Sequence, residues 1–338
     1  MNNRLFPIQN STLSADALAE RVLKRYHLPG QAVCRFFRKG ICDTYRIEAG
    51  GVEYYLKVYR FGRRTRRDVT EEVRLLNYLD GHGIFVARPV MRKDGLYVNR
   101  LAAPEGTRYA VLFEAAHGLE DDDTEDCHIK EFGAMVARMH QCADNMSEPY
   151  SREHLDMKHL LDDNLMAIAE LMAHRGADFG LIKDIAEHCR KHISQLLPKS
   201  KPEYGVCHGD LHGGDVRYGE NNIPVLFDFD SSGCGWRALD IGVFLASDEW
   251  MDITSEVENR RQSRLAAFLE GYSSIRRPSE SELSVIQLGP PVRHIYLMGF
   301  VLRYTTVYDG EHWANDHFID WHMLWFRHWA QNHLAKEI

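Results

Sequence analysis

The chain has 338 residues, 44% of them hydrophobic and 27% charged, which is enough to bury one full core and more readily two. Its formal net charge of −8 argues against wholesale nucleic-acid binding. No run approaches the ~18 apolar residues of a membrane span, and the opening MNNRLFPIQN lacks the apolar core of a secretory leader. A cytoplasmic location is therefore expected, with no membrane and no nucleic acid among its partners.

The seven cysteines, Cys34, Cys42, Cys127, Cys142, Cys189, Cys207 and Cys234, are odd in number and contain no C-x-x-C pair. They read as reduced packing thiols. Eighteen histidines occur without H-E-x-x-H or a Cys/His pairing at zinc spacing, so no structural metal is assigned.

Residues 14–26 predict an amphipathic helix capped by Ser14, with Leu18, Val22, Leu23 and Tyr26 on one side. After Pro29-Gly30 the period drops to two. Residues 31–38, 44–49 and 52–59 predict three strands of an antiparallel meander, with Gly40 in the first turn. No G-x-G-x-x-G loop is present there, and a plain hairpin turn accounts for Gly40.

Lys57 is a lone cation in the apolar, aromatic run Tyr54 to Tyr59, which an exposed strand face would explain equally well. A helix is expected over 68–80, where Glu71 and Glu72 precede Val73, Leu76 and Leu79. The intervening Arg60, Arg63, Arg64, Arg66 and Arg67 read as a solvated connector and receive no role. Residues 109–116 predict a further strand running into a linker.

Six acids between Glu120 and Asp126 read as a solvated turn that opens a helix over 127–143. That helix carries Gly133, Ala137 and His140 on one stripe, and a structural role is assigned to the histidine. Residues 149–200 are helical in pattern without recognisable chemistry. Near the end, Trp313, Phe318, Trp321, Trp325, Phe326 and Trp329 crowd one helix and its approach. The spacing 318, 321, 325, 329 predicts a core-facing stripe.

Chemistry concentrates between Tyr204 and Leu245, where His208-Gly209-Asp210 is followed by Asp215, Asp228-Phe229-Asp230 and Asp240. Val216 to Tyr218, the polar turn Gly219 to Asn222 and the apolar run Ile223 to Phe227 spell a hairpin that folds the acids back onto one another. Converging carboxylates repel unless a cation lies between them, and oxygen ligands favour Mg²⁺ over zinc.

An H-G-D-x-x-x-x-N-like loop with D-F-D beyond a hairpin resembles the aminoglycoside phosphotransferase and choline kinase superfamily over about forty residues, with Asp215 standing at the family's Asn. The run 293–304 and the Trp-rich end most resemble the branch of stress response kinase A and homoserine kinase type II. The resemblance implies an α+β, two-lobed protein-kinase-like fold. A small antiparallel-sheet N-lobe, 1–114, would cover the nucleotide, and a mainly helical C-lobe, 115–338, would carry the catalytic loop and acceptor site.

It further implies an ATP-dependent, Mg²⁺-requiring phosphotransferase with a small-molecule hydroxyl as acceptor. Asp210 would handle the acceptor's proton, with His208 bracing the loop. Asp215 and Asp228 would hold the metal, Asp230 being a further contact. Lys57 would reach the α- and β-phosphates, held by Glu72 with Glu71 as fallback, Gly40 would lie over them, and the backbone of Glu114 and Ala116 would grip the adenine. Asp240 would tie the helix over 241–245 to the catalytic loop.

Net charge and the acid run favour a cationic acceptor, an amino alcohol or aminosugar. A protein Ser/Thr acceptor is the alternative within the same chemistry, and a non-catalytic nucleotide scaffold is a third reading. Gly209-Asp210-Leu211-His212-Gly213 also fits the G-D-x-H-G of binuclear metallophosphoesterases, but the downstream G-N-H those enzymes need is absent.

Overall fold

Two-residue alternation in the N-terminal third builds an antiparallel sheet from β1 (Ala32–Lys39), β2 (Asp43–Ala49), β3 (Val52–Val58), β4 (Asn99–Ala103) and β5 (Gly106–Glu114), in the order β1-β2-β3-β5-β4. In β2, Tyr45 and Ile47 are fully buried while Arg46 is exposed, as a half-buried strand requires. β4 is an edge strand that the sequence pattern does not separate from its surroundings.

Ser14 caps α1 (Ala15–Arg21), its hydroxyl accepting from Ala17 N at 3.3 Å. The helix stops at Arg21, and a 3₁₀ turn, Leu23–Arg25, replaces the continuous helix expected to residue 26. Leu18, Val22, Leu23 and Tyr26 nevertheless share one core with Tyr45, Ile47, Leu56 and Leu112 of the sheet. The tighter turn keeps all four apolar groups on the sheet side. α2 (Arg66–Gly81) opens on a reciprocal capping box between Thr65 and Asp68.

The computed structural model describes residues 6, 8, 10–120, 125–304 and 314–334. It divides into two units, Met1–His117 and Gly118–Ile338. The middle of the acid run, 121–124, and Trp313 lie outside the described residues.

In the second unit α3 (Asp126–Asp144) packs on the long helix over Ser255–Ser273. A Cβ at Gly133 would lie 2.0 Å from the Phe268 carbonyl oxygen, so the small-residue stripe exists to let two backbones meet. Residues 149–200 are less uniformly helical than expected. A two-residue strand, β6 (His154–Leu155), and a π-helical turn, Lys158–Asp162, precede α4 (Asp163–Leu171) and α5 (Gly176–Leu196).

Then come β7 (Tyr204–Cys207), β8 (Val216–Tyr218), β9 (Pro224–Leu226), β10 (Gly233–Trp236), α6 (Arg237–Ser247), α7 (Ser255–Ser273), α8 (Glu280–Ile286), α9 (Gly289–Tyr304) and α10 (Asp316–His333). On α10 the buried face is Ile319, His322, Met323, Trp325, Phe326 and Trp329, whereas Trp321 is 47% exposed. The i, i+3, i+4, i+7 set from Ile319 replaces the aromatic stripe expected from Phe318, because smaller and less conspicuous Ile and Met occupy the centre of the face. No helix among the described residues is long and apolar enough to cross a membrane.

Candidate active site

β10 pairs antiparallel with β7, Gly233 opposite Cys207, so the chain leaving β7 and the chain entering β10 lie side by side at one end. Between them β8 and β9 form the hairpin, with Val216 opposite Leu226. Phe227 N donates to Asp215 O at 3.0 Å, which extends the pairing outward and sets Asp215 against the segment entering Asp228. The acidic clusters are thus folded back on each other by local turn chemistry.

Several buried contacts hold these loops. Gly209 has φ +81°, and a Cβ there would lie 2.2 Å from Ser231 O, so two loops meet at backbone distance through a residue that only glycine fills without strain. Asp240, in the first turn of α6, accepts from His208 N and Gly209 N, both at 2.8 Å, and from His140 Nε2 at 3.2 Å.

Burial alone would raise the Asp240 carboxyl, but the His140 bond and the loop N–H groups outweigh it and hold it below the usual carboxylate range. His140 is itself pushed down to about 4 by burial. A neutral ring fits both its contacts, Nε2–H donating to Asp240 and Nδ1 accepting from Tyr272 Oη at 2.9 Å.

His208 Nε2 donates to Phe227 O at 2.9 Å, and its ring lies 4.4 Å from that of Phe229. One histidine therefore joins the loop of Asp210 to the segment of Asp228. From the other side buried Arg152 donates to Phe229 O at 3.1 Å, Asp230 O at 2.5 Å and Ser232 Oγ at 2.9 Å. Asp228 is left-handed at φ 63°, ψ 51°, a conformation that aspartate tolerates better than most residues and that gathers at functional sites.

Asp210 is partly open to solvent. His212 Nε2 lies 3.7 Å from Asp210 Oδ1 and 3.4 Å from Asp215 Oδ2, and ligand atoms of the three fall within 4.8 Å of one another. The two carboxylates offer the oxygen donors a hard divalent cation takes, whereas the His212 imidazole is a nitrogen donor better suited to other metals. Asp230 is buried, its Oδ1 accepting from Ser231 Oγ at 3.3 Å. Arg293 of α9 donates from Nη2 to Asp210 Oδ1. Arg152 and Arg293 carry no local signal in the sequence, since each meets its partner across about eighty residues.

In the first unit Lys57 lies on β3 opposite Thr44 and Val111, 8% exposed, with Nζ 5.4 Å from the Tyr59 ring centroid. Glu72 is buried on α2, whereas Glu71 is paired with Arg74 at 2.8 Å. Gly40 N donates to Cys42 O at 3.2 Å in the β1–β2 turn. Glu114 N donates to Arg88 O at 2.9 Å and its side chain accepts from Arg88 at 2.6 Å; Ala116 lies just beyond the end of β5, after Ala115. Arg60 of the arginine run is buried, not solvated as expected.

The backbone is that of protein-kinase-like phosphotransferases. It matches an amicoumacin kinase solved with AMP-PNP and Ca²⁺ at a TM-score of 0.74, with 22% identity over 92% of this chain and 93% of that one. A microcompartment-associated aminopropanol kinase matches at 0.72, with 19% identity over 91% and 94%. An uncharacterized protein of Synechocystis sp. is 34% identical over 271 residues, 80% of this chain and 73% of its own.

The phosphotransferase enzyme family profile matches residues 33–278, and the chain belongs to that family. It is a kinase-type transferase whose acceptor is an alcohol group. The G-D-x-H-G stretch accordingly belongs to a kinase-like loop and not to a metallophosphoesterase.

Proposed function

We propose that the protein moves the γ-phosphoryl group of ATP, with Mg²⁺, to a hydroxyl of a small amine-bearing molecule, an amino alcohol or aminosugar. The observation that carries this is the Asp210–His212–Asp215 cluster at the mouth of β7, beside the left-handed Asp228. Asp210 accepts the acceptor hydroxyl's proton or orients that hydroxyl for in-line attack.

Asp215 and Asp228 hold Mg²⁺, which when bound neutralises phosphate charge, and Asp230 supports that set. Lys57, held by Glu72, takes the α- and β-phosphates; Gly40 and the backbone of Glu114 and Ala116 follow the family's nucleotide contacts. His208 braces the loop. The kinases named above support an amine-bearing acceptor, as does the net charge of −8.

The test measures ATP consumption against amino alcohols, aminosugars, nucleosides and a protein substrate. Asp210→Asn is expected to abolish transfer, by 10³-fold or so, while ATP binding stays near wild type. Wild-type turnover in that variant would remove Asp210 from the reaction. A non-catalytic scaffold would bind ATP and turn over with none of the panel.

A further inference from the structure

Arg293 stands in the second turn of α9, its guanidinium anchored through Nη2 on Asp210 Oδ1 and lying 5.6 Å from the centre of the Tyr296 ring. The side chain is only 11% exposed. Asp210 is the only carboxylate it pairs with among the described residues, and its other N–H groups have no protein partner there. An arginine neither gives nor takes a proton at working pH. Beside an acid that handles the acceptor's proton, it serves charge.

The charge that develops near Asp210 is fixed by the reaction. A hydroxyl within about 3 Å of the Asp210 carboxylate, attacking phosphorus from about 3 to 3.5 Å, places the moving phosphoryl group within roughly 6 Å of that carboxylate. A guanidinium fixed to the carboxylate by one nitrogen has its remaining donors in that same space, in the fork geometry that suits phosphoryl oxygens. Asp215, read above as a metal ligand, has its carboxylate within 4.8 Å of that of Asp210, which puts Arg293 next to where a metal-bound phosphate must enter.

We propose that Arg293 is a catalytic residue: anchored on Asp210, it donates to the oxygens of the phosphoryl group during transfer, as an arginine finger supplied in cis. The proposal rests on the reading of Asp210 as the residue facing the acceptor hydroxyl. In the step, the acceptor oxygen forms its bond to phosphorus as its proton passes to Asp210. The bond from phosphorus to the bridging oxygen breaks, and its electron pair stays on ADP. Arg293 meets the charge on the non-bridging oxygens and exchanges no proton.

The experiment uses the full chain with Mg²⁺ and compares wild type with Arg293→Ala, Arg293→Gln and Arg293→Lys. Calorimetry measures binding of ADP alone and of ADP with aluminium fluoride, a mimic of the phosphoryl group in flight; kcat and KM are measured with 1-aminopropan-2-ol and with the best acceptor of the panel. Arg293→Ala and Arg293→Gln are expected to lose about 10²- to 10³-fold in kcat, to keep ADP affinity, and to lose the tightening that fluoride gives wild type. Arg293→Lys should recover part of both. Thermal scans show which variants fold, and the glutamine and lysine variants carry the comparison if alanine does not.

An acceptor KM that rises alone, with kcat and the fluoride effect intact, would make Arg293 a clamp for an anionic acceptor and overturn the proposal. So would wild-type values throughout. Unchanged turnover in Asp210→Asn sinks the underlying site reading, and is read independently of any Arg293 variant.

Discussion

Gly209 illustrates how much a single position carries at this site. It combines a positive φ with a 2.2 Å approach of its missing Cβ to Ser231 O, so any side chain must push apart the loops bearing Asp210 and Asp230. Gly209→Ala is expected to cost about 2 to 3 kcal/mol, measured by urea unfolding, and to lower activity further than stability alone explains. Asp215 makes the complementary case. Asp215→Asn retains a neutral oxygen donor and should keep transfer, while Asp215→Ala should raise the Mg²⁺ concentration for half-maximal rate at least tenfold. An unchanged Mg²⁺ dependence in Asp215→Ala would remove Asp215 from the ligand set.

Asp210, Asp215 and Asp228 were legible as a group because a hairpin of local turn chemistry links them. Arg293 was not. Its partner is chosen by helix packing across 83 residues, and nothing in its neighbours announces it.

Among the elements, α6 sets the loop geometry. Its first-turn Asp240 accepts two loop N–H groups and the His140 ring, with Asp240, His208 and His140 all buried. Removing that carboxylate strands three donors. Asp240→Ala should therefore cost about 3 kcal/mol or more, and Asp240→Asn less, since its one oxygen still accepts. The check is a denaturant series read alongside activity at a temperature where both variants remain folded; equal losses in the two would show that the acceptor count does not matter.

A tie of Asp240 to the loop after β7 was implied by family resemblance, and the structure shows its atoms in the bonds from His208 N and Gly209 N. The edge strand β4 and the π-helical turn at Lys158–Asp162 escaped the pattern reading. An edge strand is defined by its neighbour more than by its own alternation, and a π-turn differs from an α-helix in one hydrogen-bond step that hydrophobic spacing barely registers.

For the whole molecule, acid should be destabilising through buried histidines. His322 is pushed down to about 4 by burial and is surrounded by the rings of Trp250, Trp321 and Phe318, with His294 nearby. In the unfolded chain it would titrate near 6.5. Its neutral form is shared by both states above that value, and as pH falls toward 4 the unfolded chain binds a proton that the folded chain refuses. Up to about 3 kcal/mol is lost across that window. His322→Phe, which cannot charge, should flatten the fall in Tm between pH 6.5 and 4. An equally steep fall in that variant would assign the acid sensitivity elsewhere, His140 being the next buried ring held near 4.

The residue order alone determined the strands β1, β2 and β3 and the hairpin between Asp215 and Asp228, because period-two alternation, capping and turn residues act over a few positions, and the fold class followed from the family resemblance of the stretch around that hairpin. Tertiary structure alone decided which groups brace the acids, Arg152 on the Asp230 segment and Arg293 on Asp210, and which residues sit at the centre of the α10 face, Ile319 and Met323 rather than Phe318 and Trp321. These choices depend on how helices and loops far apart in the chain come to share one small volume. Distance in sequence carries no record of that proximity, and a charged side chain reads the same whether water or a protein partner will meet it.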